Sequence, residues 1–132
     1  MKYTRFEEIP VWQDAIPLAQ AVFRLTRMDA FRHHWGLVDQ LQRAAVSVSN
    51  NIAEGFERGT VRELLQFIYY AKGSAGEVRS MCHVLRGLEG FEAVRTNVNE
   101  ILVSSESISR QLGAWAASQR NGRISGSRYG AE

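Results

Sequence analysis

The chain has 132 residues, 45% of them hydrophobic, with 16 basic against 14 acidic side chains and a net charge of +2, so one domain with a real core is the expectation. Its single cysteine, Cys82, excludes a disulfide framework and suits a reducing, cytoplasmic setting. No apolar run reaches the roughly 18 residues of a membrane span, and the opening Met1-Lys2-Tyr3-Thr4-Arg5 does not read as a secretory leader.

Residues 1–9 read as a lead-in, with Phe6 and Ile9 available for packing. A first helix is expected over 10–27. Pro10 suits its first position, where a missing N–H costs nothing, and Trp12, Ala15, Ala19, Val22 and Thr26 keep helical spacing. Pro17 falls inside it and should kink the helix or displace its start. Residues 28–34 make the connection. The second helix, 35–55, carries the stripe Val38, Leu41, Ala45, Val48 and Ile52, and Gly55 is expected to end it in a left-handed cap, with a turn over 55–59. Thr60 followed by Glu63 forms a capping box for a third helix over 60–88. That helix has one apolar stripe through Leu64, Ile68, Ala71, Ala75, Val78, Cys82 and Leu85, and a second row through Phe67, Tyr70, Ser74, Glu77, Met81, Val84 and Leu88, which spacing alone also places inward. After Glu89-Gly90 a fourth helix is expected over 91–118, through Phe91, Val94, Val98, Ile101, Ser105, Ile108, Leu112 and Trp115. Residues 119–132 are poor in apolar groups and read as a flexible tail. No stretch reads as a strand. The expectation is all-α: an up-down-up-down antiparallel four-helix bundle over 1–118, with Leu41, Val48, Ile52, Ile68, Val78, Leu85, Ile101 and Ile108 in its core.

All the basic residues except Lys2 and Lys72 are arginine, the side chain suited to bidentate contact with phosphate or carboxylate. Arg58, Lys72, Arg79 and Arg86 recur in heptad phase, with Leu65 at the missing step, and therefore share one line along the third helix. Arg62, Tyr69 and His83 occupy the adjoining row. Neither row contains Asp or Glu, and a cationic line beside an aromatic side chain suits backbone phosphates and a stacked base. An ordinary solvated helix face has the same composition. Glu77, on the second row, would be partly buried and would need a partner; Arg43 is the expected one. Ser74 shares that row, while Ser47, Asn51 and Glu54 share one edge of the second helix and read as a polar seam between helices or subunits. Gly73 and Gly76 are costly inside a helix unless another helix or a neighbouring subunit approaches closely there. No Glu-x-x-His pair of the di-metal bundles occurs, so neither a metal nor another cofactor is expected. Arg27 and His33 fit the loose Arg-to-His spacing of small helical ribonucleases, but they straddle a helix end and a loop.

Several runs carry a resemblance: Val11-Trp12-Gln13; Arg43-Ala44-Ala45-Val46-Ser47 through Asn51-Ile52-Ala53-Glu54-Gly55; Phe67 to Tyr70 with Lys72-Gly73-Ser74 and Glu77; and Ile108-Ser109-Arg110-Gln111-Leu112. Over about residues 6–118 the chain resembles the four-helix bundle family encoded in intervening sequences of bacterial 23S ribosomal RNA genes, which is similar to the accessory variability protein of diversity-generating retroelements. It departs from that family at Ser47-Val48-Ser49-Asn50-Asn51, where a mid-helix proline is usual; here any bend comes from Ser49 bonding back to a carbonyl or is absent. The resemblance implies a ring-shaped homopentamer, nucleic-acid binding and no enzymatic activity. The expected function is thus a non-enzymatic, oligomeric RNA- or DNA-binding protein, with Arg58, Arg62, Lys72, Arg79 and Arg86 as contacts. The alternatives are a protein-binding adaptor, for example for a reverse transcriptase, and a helical ribonuclease.

Overall fold

In a computed structural model of the protein, which describes residues 2–124, the chain forms the helices α1 (Pro10–Thr26), α2 (Trp35–Arg58), α3 (Val61–Arg86) and α4 (Arg95–Ile124). Each packs against its neighbours in sequence and α4 closes back on α1, so the architecture is the expected all-α four-helix bundle, with no strand among the described residues. Short 3-10 turns at Phe6–Glu8, Asp29–Phe31 and Glu92–Val94 lead into α1, α2 and α4.

Pro10 opens α1, and the Gln13 N–H bonds the Ile9 carbonyl at 3.0 Å to close the first turn. Pro17 does not displace that start. The helix continues through it to Thr26, whose hydroxyl donates to the Val22 carbonyl at 2.9 Å. The second connection differs from expectation. Gly55 does not cap α2 but lies buried within it, where a Cβ would come 2.6 Å from the Cβ of Phe67. The left-handed residue is Gly59, with φ of 88°, so α2 runs on to Arg58 and the turn shortens to two residues. Thr60 then caps α3 as its spacing foretold: its hydroxyl accepts the Glu63 N–H at 3.2 Å and donates to the Glu63 carboxylate at 3.1 Å. Ser49 bonds back to the Val46 carbonyl at 3.3 Å, within a helix that runs unbroken from Trp35 to Arg58.

At the far end, Gly90 adopts φ of 98° and its N–H bonds the Glu92 carboxylate at 3.0 Å, so a 3-10 turn precedes α4, which begins at Arg95 rather than 91. Phe91 seats edge-on against Phe31 with ring centroids 4.9 Å apart, closing that end of the core. α4 also runs on to Ile124, beyond the expected end at 118; the rest of the expected tail, 125–132, lies outside the described residues.

The eight core residues named from the sequence are all buried. The second row of α3 is not inward. Val84 is 55% exposed, Tyr70 49%, and Glu77 is exposed as well; only Met81 is fully covered. In a four-helix bundle each helix buries one stripe between its two neighbours, and a row displaced from that stripe faces water.

Leu41→Ala or Ile101→Ala should cost roughly 2–5 kcal/mol in urea denaturation, since neither site can collapse freely. Gly55→Ala should destabilise, because Phe67 meets the new methyl through its own Cβ, whereas Gly73→Ala, which meets nothing within 4 Å, should stabilise the isolated chain by about 1 kcal/mol. Burial pushes the Cys82 thiol up to about 11. It should resist thiol reagents in the native protein and react on unfolding. The unfolded thiol ionises from about 9.0 while the folded one keeps its proton, so this group should lower stability as pH rises from about 9 towards about 11.

Candidate nucleic-acid interface

Lys72, Arg79 and Arg86 lie at heptad spacing on α3, beside antiparallel α4. Gly113 of α4 accommodates the Lys72 stem, since a Cβ there would stand 3.4 Å from Lys72 Cε. Towards the start of α3, the Arg120 guanidinium of α4 lies 5.9 Å from the Tyr69 ring centroid and donates to its hydroxyl. Towards its end, Arg95 donates to the Arg86 carbonyl at 3.3 Å. The α3–α4 seam thus gathers cations from both helices, with exposed Arg62 and Tyr69 on the adjoining row. Ion pairs among the described residues engage only Arg5, Arg43 and Arg58. Lys72, Arg79, Arg86, Arg95 and Arg120 make none.

Arg58 belongs to a different arrangement. It bonds Glu54 at 3.0 Å and Glu63 at 3.2 Å, and stacks over Phe67 at 5.0 Å from the ring centroid. The two carboxylates hold its guanidinium above its ordinary pKa, the Glu54 hydrogen bond contributing most. Its charge is therefore compensated, contrary to the reading of one uncompensated line. The acids come from the preceding turn of α2 and the cap of α3, which a comparison of rows on one helix does not include. Arg95 and Arg120 were missed for a related reason, as both lie on α4 and Arg120 falls past its expected end. The heptad step from Gly113 to Arg120 was the available signal.

The polar seam between α2 and α3 is present in part. Ser74 donates to Ser47 at 2.9 Å, and the Asn51 amide bonds the Ser47 hydroxyl at 2.8 Å and carbonyl at 2.7 Å. Glu54 is drawn off to Arg58. The expected Arg43–Glu77 pair does not form. Arg43 pairs with Asp39 one turn away at 3.1 Å, and Glu77 meets Gln40 at 3.4 Å. An i,i+4 partner on the same helix is reached without bridging to another helix, and exposed Glu77 does not require a counterion. Arg27 caps α1, and His33 falls in the loop before α2, so the ribonuclease-like pair shares no helix face.

The sequence model of the 23S rRNA-intervening sequence protein family matches residues 7–114, from the first 3-10 turn well into α4. The chain belongs to this family. No curated protein sequence matches it. Among the described residues of this family member, no helix is long and apolar enough to cross a membrane.

Glu77→Gln should change unfolding free energy by less than about 0.5 kcal/mol, as for other exposed positions. A loss of several kcal/mol would instead mark a buried ion pair.

Proposed function

We propose that this protein is a non-enzymatic, cytoplasmic, oligomeric nucleic-acid-binding protein, and that the α3–α4 seam contacts RNA or DNA backbone. The observation that carries this reading is the unpaired state of Lys72, Arg79 and Arg86, with Arg120 brought beside them over Tyr69. Cations without carboxylate partners attract phosphate without first giving up an ion pair, and each phosphate neutralised releases condensed counterions. Tyr69 and exposed Arg62 extend the line and supply a ring for stacking. Arg58 contributes least, because Glu54 and Glu63 already hold it. The family resemblance supports a homopentamer, in which the seam is repeated around a ring and several weak contacts act together.

A second reading, a protein-binding adaptor, is favoured by the exposed apolar side chains Tyr70, Val84 and Leu88 along α3. The resemblance to the accessory variability protein of diversity-generating retroelements makes a reverse transcriptase a candidate partner in that reading.

Titration of labelled RNA and DNA at two salt concentrations separates the two. Lys72→Ala/Arg79→Ala should weaken binding for every sequence and reduce the salt slope by about 2, one for each lost phosphate contact, while Arg58→Ala should leave both near wild type. Unchanged binding in the double variant would overturn the seam as the site. Absence of binding by the wild type at low salt would favour the adaptor.

A further inference from the structure

α1 and α4 are tied near one end by the Gln111 amide, which donates to Asp14 at 2.9 Å. From Pro17 onward they leave a groove of about 360 Å³. Leu18, Leu25 and Ile101 form its buried floor, and Arg24, Asn97 and Glu100 stand along its sides. Arg24 and Glu100 are exposed and make no ion pair, so the rim offers both signs of charge. Trp35 begins α2 and is 81% exposed, more than any other large apolar side chain among the described residues. We propose that the groove receives Trp35 of a second copy of this chain.

The dimensions and chemistry agree. A cavity of about 150 Å³ lined by aliphatic side chains accommodates benzene, so 360 Å³ has room for the larger indole. Withdrawing a tryptophan from water buries roughly 150–250 Å². The indole N–H finds an acceptor in the Asn97 amide oxygen at the side of the groove. Trp35 arrives with Arg32, His33 and His34 before it and Asp39 after it, which matches a rim bearing Glu100 and Arg24.

The contact is heterologous. Trp35 stands one heptad before Gln42, whose amide reaches the Thr26 hydroxyl of α1 at 3.0 Å, and so lies on the α1 side of α2. The groove lies on the opposite flank of α1, towards α4. One copy can therefore give its tryptophan to one neighbour and receive that of another. Because the two patches lie on adjacent faces of the bundle, successive copies turn and can close into a ring.

This inference rests on the oligomeric reading above, and light scattering distinguishes the two. Wild type should give an oligomer mass. Trp35→Ala, which removes an exposed side chain, and Ala21→Trp, which fills the groove from within, should each fall to the monomer mass of 14.9 kDa. Mixed in equal amounts they should recover a species of twice that mass, because one supplies an intact groove and the other an intact Trp35. Where circular dichroism shows that Ala21→Trp does not fold, exposed Glu100→Arg takes its place. Oligomers of wild-type mass formed by Trp35→Ala, or a mixture that stays monomeric, would overturn the interface and leave the oligomeric reading standing. A monomeric wild type would remove both.

Discussion

The α2–α3 hairpin depends on one close approach. At Gly55 the two helices come so near that a Cβ would stand 2.6 Å from that of Phe67. Since the position opposite is a Cβ rather than the end of a flexible side chain, any other residue there would push the helices apart. Three further features converge on the same point. Gly59 takes the left-handed conformation that turns the chain within two residues, Thr60 caps the outgoing helix, and Arg58 covers Phe67 while bonding a carboxylate from each side of the turn. The register set here continues down the hairpin, bringing Ser47 to Ser74 and Gln40 to Glu77. α1 and α4 then cover the apolar stripes that the hairpin leaves open, and the positions of Lys72, Arg79 and Arg86 beside α4 follow from that register.

The stripes were legible because helical burial repeats every three or four residues, and the eight named core positions, Leu41 to Ile108, all obey that period, although Val38, Ala19 and Trp115 at the stripe ends and edges are only half-buried. Capping at Thr60 was legible because it is local chemistry. What was not legible depended on choices between near-equivalent residues. Gly55 and Gly59 both suit a left-handed cap, and only the packing of Phe67 decides that Gly55 is needed for closeness and Gly59 for conformation. Periodicity likewise marked two inward rows on α3, but the period gives a direction only up to the width of the stripe. Tyr70 and Val84 are apolar enough to be counted and yet face solvent. The partner of Arg43 was misassigned because a long-range pair to Glu77 was assumed where a same-helix carboxylate, Asp39, was one turn away.

The candidate interface was legible in its α3 half alone. Heptad arithmetic places Lys72, Arg79 and Arg86 on a line, but whether a line of cations is free depends on every element packed against it. Two acids remove Arg58 from it and α4 adds Arg95 and Arg120, neither of which can be read from one helix. The net charge of +2 is therefore a poor guide to this protein. Glu54 and Glu63 are satisfied at the hairpin turn by Arg58, while Lys72, Arg79 and Arg86 line the α3–α4 side, where Glu106 lies on the same heptad line of α4 as Gly113 and Arg120.

Gly73 and Gly76 bring the two arguments together. Glycine within a helix costs about 1 kcal/mol relative to alanine, and Gly55 offsets that cost by allowing close packing. Among the described residues nothing stands within 4 Å of where a Cβ at Gly73 or Gly76 would be. They lie on the outer side of α3 between Tyr69 and exposed Ser80, with Lys72 and Arg79 along one border and exposed Glu77 along the other. No long side chain stands on that strip to hold a ligand away from the helix. Under the proposed function, a phosphate backbone could approach the α3 surface closely there, with its charge met by the bordering cations and a base beside Tyr69. Bare backbone along the strip and unpaired cations at its edge are complementary features of one surface, and the cost of the two glycines is then offset on binding rather than on folding.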